Sequence, residues 1–333
     1  MEGRKSKKKA NILKLDLKLY RGYVNNEELV VFGHLFESWA PDKYSLEKKG
    51  IKHAYAILHK FRIKPLENFK IHLKFRDLEV TTKTMEDGYF RFSIPYTEEL
   101  EPGWHYYEVS CKMYEFGIIE RGELLKPYPS KLAVISDIDD TFLISHSNRF
   151  FKKLYVMLSK NINKRKIFDD VVKHYQRLSS AGQDSNKASN SFFYVSSSEW
   201  NLYDFIEEFA TMHDLPKAVI KLKKIKTGLR DFIKSGRGNH DHKFIKIKDI
   251  ISFYPHLKYV LLGDDSQHDP YLYERVCKTF PKNIQAVYIR QTTHKQNPKV
   301  QKVMANLESM DVSTCYFRNS EKAIHHSERE NII

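Results

Sequence analysis

The sequence is poor in cysteine and in long apolar runs, and its acidic residues are outnumbered by basic ones; each feature narrows what the chain can be. Its 333 residues hold three cysteines, Cys111, Cys277 and Cys315. They are far apart and form no CxxC pair, which argues against a disulfide framework and a structural zinc site and fits a reducing compartment. The first twenty residues, MEGRKSKKKANILKLDLKLY, are basic but lack the apolar core of a secretory signal. No run approaches the length that spans a bilayer. A cytoplasmic protein is expected, with any membrane contact peripheral. Acidic residues number 42 against 56 Lys and Arg, a formal net charge of +14. That excess favours phosphates, nucleic acid or an acidic membrane surface as partners without choosing among them.

An apolar fraction of 41% and an aromatic fraction of 13% describe a globular chain. Residues 1–18 read as a solvated basic tail. From 19 to 121 the chain carries short aromatic and β-branched segments, at Leu29 to Phe36, Phe69 to Phe75, Gly88 to Ile94 and Trp104 to Cys111. Asp87-Gly88 carries a hairpin signal. The spacing predicts an antiparallel, immunoglobulin-like β-sandwich with a structural or binding role. Residues 122–130, with Pro127 and Pro129, read as a linker.

From 131 to 317 buried strands alternate with helical patterns. Strands are expected at 131–137, 192–196, 218–222, 259–263, 285–289 and 313–317. Helices are expected near 149–160, 167–179, 200–212, 242–253, 270–279 and 297–308. This alternation predicts an α/β Rossmann-like parallel sheet with flanking helices, with a helical insertion near 146–180. Residues 318–333 read as a C-terminal tail, either a short helix or disordered.

Three of these strands end in chemistry. KLAVISDIDDT runs from four apolar residues into Asp137, Asp139 and Asp140, which places carboxylates at the carboxyl edge of a parallel sheet. A calcium loop of the EF-hand kind would need a Glu where Asn148 stands. The catalytic reading makes Asp137 a nucleophile toward phosphorus and Asp139 the proton donor, since two close carboxyls favour keeping one protonated. SFFYVSSSEW ends in Ser196, Ser197 and Ser198, where hydroxyls and free N–H groups suit a phosphate oxygen, although serines also cap helices. YVLLGDDSQHDP ends in Asp264, Asp265 and Asp269, oxygen donors suited to Mg²⁺. Between the two stands Lys243, at a helix start where the dipole disfavours a cation, although a single lysine in a basic protein most often lies on the surface. Gly238 to Asp241 (GNHD) and the GDD segment share pieces of the two-metal phosphoesterase signature, but in the wrong order.

The succession DIDDT, YVSSS, HK and GDDSQHD resembles the haloacid dehalogenase superfamily of phosphotransferases. More narrowly it is similar to the actin-patch-type, Mg²⁺-dependent phosphatidate phosphatases and their bacterial relatives, over roughly Lys131 to Arg290. YRGY at Tyr20 to Tyr23 is similar to the domain that often precedes that unit. The resemblance implies a HAD-like fold and an aspartyl-phosphate on Asp137, with Asp139 as acid and then base. It further implies Mg²⁺ on Asp137, Asp139 and Asp264, with substrate phosphate held by Thr141, Ser196, Ser197 and Lys243. Asp265 and Asp269 are expected to support these ligands from behind. GDDSQHD stands where many members carry a GDGxxD-like spacing, so the division of work among the three acids stays open.

Apolar and basic residues between Asn148 and Lys166, and a basic run from Lys217 to Lys234, favour an acidic lipid over a sugar phosphate; the resemblance implies that this lipid is phosphatidate. The alternatives are a phosphatase for a soluble or nucleic-acid phosphomonoester, and a non-catalytic module for acidic phospholipids. Of the partners, an acidic phospholipid or membrane surface is expected and nucleic acid is not; the sequence does not speak to oligomeric state.

Overall fold

The computed structural model describes residues 14–38, 64–113, 116–138, 165–183, 188–223, 241–266 and 268–333. Strand β1 (Lys14–Val24) opens the first sheet. It buries Leu15 and Leu17 while Asp16 and Lys18 stay partly exposed, the two-residue period of a strand with one covered face. The expected tail of 1–18 therefore overlaps a strand from Lys14 onward.

The sheet continues with β2 (Glu28–Ser38), β3 (Lys64–Pro65), β4 (Lys70–Phe75), β5 (Leu78–Lys83), β6 (Tyr89–Pro95), β7 (Gly103–Met113) and β8 (Phe116–Lys126). Its order is β3-β2-β1-β8-β7-β4-β5, with β6 also on β2. All pairings are antiparallel except β1 with β8, where Gly22 faces Leu124 and Tyr23 faces Leu125. The Asp87-Gly88 turn forms, with the Gly88 N–H on the Met85 carbonyl. It closes no hairpin, because β5 pairs with β4 and β6 pairs with β2.

The expected linker at 122–130 is mostly strand. Gly122 to Lys126 complete β8, and Leu124 and Leu125 are both buried, on opposite faces. Leu124 joins the core of the first domain, and Leu125 joins the core shared with the second. A residue pair that buries both ways holds the strand together until Pro127.

The second sheet is wholly parallel. It comprises β9 (Leu132–Asp137), β10 (Ser191–Glu199), β11 (Ala218–Lys223), β12 (Lys258–Asp264), β13 (Ile284–Arg290) and β14 (Ser313–Phe317), ordered β11-β10-β9-β12-β13-β14. All six residues of β9 are buried, as its unbroken apolar run requires. The chain leaves β9 to one side through β10 and later returns to its other side through β12. The carboxyl end of β9 is thus the switch point where such sheets bind ligands.

Six helices accompany this sheet among the described residues: α1 (Arg165–Ser180), α2 (Tyr203–Met212), α3 (Asp241–Phe253), α4 (Asp269–Thr279), α5 (Pro298–Glu308) and α6 (Ser320–Arg329). A 3-10 turn, Trp200–Leu202, leads into α2. The supposed tail after Phe317 holds a packed helix, α6. Asn319 caps it by accepting from the Glu321 N–H, and Ala323, Ile324 and Ser327 are buried along one face. The Ser327 hydroxyl meets Tyr288 of β13 and His174 of α1 at 2.7 and 2.8 Å. The expected helix at 149–160 and the basic residues from Lys224 to Lys234 lie outside the described residues. No described helix is long and apolar enough to cross a membrane.

Candidate active site

Strand register brings the acids together. Asp137 ends β9 and lies opposite Val195 of β10, next to Ser196, while Leu262 of β12 lies opposite Ser136. Asp137, Ser196 and Asp264 therefore emerge at one edge of three adjacent strands. Asp269, in the first turn of α4, completes a cluster. One carboxylate oxygen from each of Asp137, Asp264 and Asp269 lies within 4.8 Å of the others, and all three residues are buried.

Close approach makes this cluster possible. A β-carbon on Gly263 would lie 2.9 Å from Asp269 Oδ2 and 2.8 Å from the Tyr273 ring, so only glycine lets α4 fold down onto the end of β12. Tyr273 holds that approach by donating to the Leu262 carbonyl at 2.8 Å. Burial, reinforced by Asp269 and Asp137, pushes its hydroxyl pKa far up and keeps it a donor. Beneath Asp137, the Ser136 hydroxyl donates to the Asp137 carbonyl at 2.8 Å and meets Tyr175 of α1 at 2.6 Å.

Among the described residues, Lys243 is the cation paired with the cluster. It is only 5% exposed, with its ammonium 2.8 Å from Asp137 Oδ1 and 3.0 Å from Asp269 Oδ1. Those carboxylates explain a lysine in the first turn of α3, where the helix dipole opposes it. One turn on, Lys246 donates to the Ser196 carbonyl at 2.8 Å, so α3 grips both neighbouring strands. Ser196 is fully buried and its hydroxyl accepts from the Ser198 N–H at 2.8 Å, whereas Ser197 is exposed.

Counted over the described residues of the cluster, three carboxylates and one ammonium give a formal charge of −2 in a buried place. Such an imbalance is costly unless further positive charge is supplied. A set of carboxylate oxygens with one excess pair of negative charges fits a hard divalent cation such as Mg²⁺. Arg290, at the end of β13, adds distant support. Burial lowers its pKa, and Tyr175 and Asp264 pull it back, while its guanidinium donates to Ser320 Oγ at 2.7 Å.

The neighbouring acids divide differently from the sequence expectation. Asp265 accepts from the Thr292 N–H and hydroxyl at 2.8 and 2.5 Å and from the Tyr316 hydroxyl at 2.5 Å. It ties the ends of β12, β13 and β14 together, apart from the cluster, because successive residues of a strand point oppositely. Asp269, expected only as support, is a full member of the cluster because the glycine step brings it in. Asp139, Asp140, Thr141 and His240 lie outside the described residues, and His242 is exposed. Gly263 and Lys246 went unread in the sequence. The glycine that opens GDD was a usable signal, whereas one lysine in a basic helix was not.

Comparison with known proteins agrees with the motif order. Residues 132–291 match the family model for the catalytic domain of phosphatidate phosphatase APP1. Phosphatidate phosphatase APP1 of Saccharomyces cerevisiae is 27% identical over 168 residues, which are 49% of this chain and 26% of that protein. The chain thus spans about a quarter of the length of this curated relative. Among solved structures, a carbohydrate acetylesterase from Xanthomonas citri aligns at 8% identity and TM-score 0.35, over 96% of this chain and 74% of that one. A mutant PilB minor pilin from Streptococcus sanguinis aligns at 12% and 0.32, over 98% and 79%. The sequence match and the cluster it encloses lead to one statement of kinship: residues 132–291 of this chain are similar to the catalytic domain of phosphatidate phosphatase APP1.

Proposed function

We propose that this chain is a Mg²⁺-dependent phosphatase that converts phosphatidate to diacylglycerol and phosphate through an aspartyl-phosphate on Asp137, within a HAD-like α/β domain. The observation that carries the reading is Lys243, buried between Asp137 and Asp269 at the switch point of the parallel sheet. Asp137, Asp264 and Asp269 would hold the Mg²⁺, which supplies positive charge against the phosphoryl oxygens.

In the first half-reaction a carboxylate oxygen of Asp137 bonds to phosphorus and the ester P–O bond breaks. The departing alkoxide takes the proton of Asp139. In the second, Asp139 takes a proton from water, the water oxygen bonds to phosphorus, and the acyl-phosphate bond breaks to restore Asp137. Lys243 holds the attacking carboxylate in one orientation and offsets its charge, so an anion can approach a phosphate dianion. Ser196, on the adjacent strand, supplies a hydroxyl to the phosphate. The basic excess of the chain and the activity that names the yeast relative favour an acidic lipid as substrate.

The test is phosphate release from phosphatidate in mixed micelles, with and without Mg²⁺, beside soluble phosphomonoesters. Wild type should turn over phosphatidate only with the metal. Asp137→Asn and Asp139→Asn should each lower kcat by about 10³-fold or more. Equal turnover of soluble esters would remove the lipid reading, and phosphatidate binding without turnover would favour a binding module.

A further inference from the structure

The YRGY segment of β1 has no part in the chemistry just described, yet it touches both the segment that follows Ser196 and the end of the helix that carries Lys243. Its amino-terminal half meets the segment that follows Ser196. The Tyr20 ring stacks on Trp200 at 4.3 Å and packs on Tyr203 at 4.5 Å between centroids. The Arg21 N–H donates to the Tyr203 hydroxyl at 2.9 Å. The Arg21 guanidinium pairs with Glu207 of α2 at 2.8 Å and with Glu123 of β8 at 3.3 Å, and donates to the Ala218 carbonyl of β11 at 3.2 Å. One residue thus fastens the start of α2, the edge of the parallel sheet and the first domain.

The carboxyl-terminal half meets the far end of α3, the helix whose first turn carries Lys243. Tyr23 packs edge-on against Phe253 at 4.7 Å. Asn25 Nδ2 donates to the Phe253 carbonyl at 3.0 Å, and the Tyr254 hydroxyl donates to the Val24 carbonyl at 3.1 Å. Between the halves the strand bulges at Tyr20 to Tyr23. A β-carbon on Gly22 would sit 2.5 Å from the Val30 carbonyl oxygen. The bulge redirects the strand so that its two halves address different elements.

We infer that β1 is a positioning clamp for the reaction, with Arg21 as its principal positioning residue. It fixes the separation between the Ser196–Trp200 segment and α3, and so the distance between the Ser196 hydroxyl and the Lys243 ammonium. This rests on the phosphate-binding roles proposed above for those two groups. The Lys246 bond to the Ser196 carbonyl ties the same two elements from inside, and β1 ties them from outside. The first domain is therefore a working part of the site, since displacements of about 1 Å at a phosphoryl-transfer centre cost up to about 100-fold in rate.

The experiment uses the full chain with Mg²⁺ present and compares wild type, Arg21→Ala, Arg21→Lys and Tyr203→Phe. It measures the dissociation constant for inorganic phosphate by calorimetry, and kcat and KM for phosphatidate in mixed micelles. Arg21→Ala should weaken phosphate binding and lower kcat, each by about tenfold. Arg21→Lys keeps the charge but lacks the fork that reaches Glu207, Glu123 and the Ala218 carbonyl together, so it should recover only part of each loss. Tyr203→Phe keeps the ring, folds even where Arg21→Ala does not, and should show a loss of about threefold. A loss of stability alone would reduce the amount of active protein and leave the affinity of the folded fraction unchanged. Folded Arg21→Ala or Tyr203→Phe with wild-type phosphate affinity and kcat overturns the clamp while leaving the phosphatase reading intact. Wild type that binds phosphate in an Arg21-dependent way but does not turn over phosphatidate overturns the substrate and keeps the clamp. Wild type that binds no phosphate overturns both.

Discussion

Two lysines of the parallel sheet domain lie in opposite surroundings. Lys243, at the carboxyl edge, has its ammonium between two carboxylates at 2.8 and 3.0 Å. Lys221, on β11 at the seam between the domains, has its ammonium over the rings of Tyr23 and Phe32 at 4.3 and 4.5 Å, and donates to the Tyr23 hydroxyl at 2.9 Å. Burial pushes the Lys221 pKa down to about 7, with Arg91 lowering it further and Asp249 opposing. The first lysine meets an excess of negative charge. The second meets ring faces and one hydroxyl, which stabilise a cation less well. The carboxyl edge was thus built to hold charge and the seam to join two domains. The residue type does not distinguish them; the neighbours do.

The largest effect should come from removing the lysine buried in the carboxylate cluster. Lys243→Met leaves three buried carboxylates beside a thioether, and kcat should fall by about 10² to 10³-fold. Without metal the folded state should also lose about 3–5 kcal/mol, as expected when one partner of a buried ion pair is removed. Urea unfolding with and without Mg²⁺ separates the two consequences. A fall in kcat of less than about tenfold would make Lys243 a structural cation and erase the contrast with Lys221. Gly263→Ala should come next. Its β-carbon needs the space of Asp269 Oδ2 and the Tyr273 ring, so Asp269 must leave Lys243 or α4 must lift. Activity should fall by about 10 to 100-fold with weaker metal affinity, and an unchanged Mg²⁺ requirement would show that Asp269 is dispensable.

The two regions also differed in how much their sequences disclosed. The parallel sheet was legible strand by strand because a buried strand must be apolar throughout, and its polar ends stood out against that background. Strand order placed Asp137 and Asp264 at one edge of the sheet, since βαβ connections return every strand in the same direction, whereas Lys243, by itself most simply a surface lysine, joined them only through the family resemblance. The distinction between Asp265 and Asp269 was not legible. It depends on which way each side chain leaves the chain and on the room that Gly263 provides. The first domain was harder to read. Its charged β1 residues, Asp16 and Lys18, masked a strand within a basic segment, and Asp87-Gly88 gave a true turn between strands that pair elsewhere. Helix α6 is polar on most of its surface and buries only a narrow stripe with Ala323 and Ile324, too little for periodicity to separate from a tail.

Asp265→Asn should have a smaller effect and marks the boundary between chemistry and framework. The amide keeps a carbonyl acceptor for Thr292 or Tyr316 but loses the charge that serves both. A stability loss of about 1–2 kcal/mol is expected, with kcat within about threefold of wild type and an unchanged Mg²⁺ requirement. A kcat loss equal to that of Lys243→Met would move Asp265 into the metal set, against the geometry.

The smallest effect, and the one that bears most directly on the two lysines, concerns Lys221. Its pKa is depressed in the fold from its ordinary 10.5 to about 7. Between those values the unfolded chain binds a proton that the folded chain does not, so stability should rise with pH across this window, by at most about 1.4 kcal/mol per unit. Below about pH 7 both states are protonated, and the fold carries the full cost of a poorly compensated cation. Lys221→Met has similar reach and no charge. It should be as stable as wild type or more so at pH 6, and its advantage should shrink steadily towards pH 9.5, with kcat within about twofold throughout. Urea unfolding of both proteins across that range gives the difference curve. Parallel profiles would mean that the rings of Tyr23 and Phe32 hold the ammonium charged after all, and that the seam, like the carboxyl edge, tolerates a cation on favourable terms.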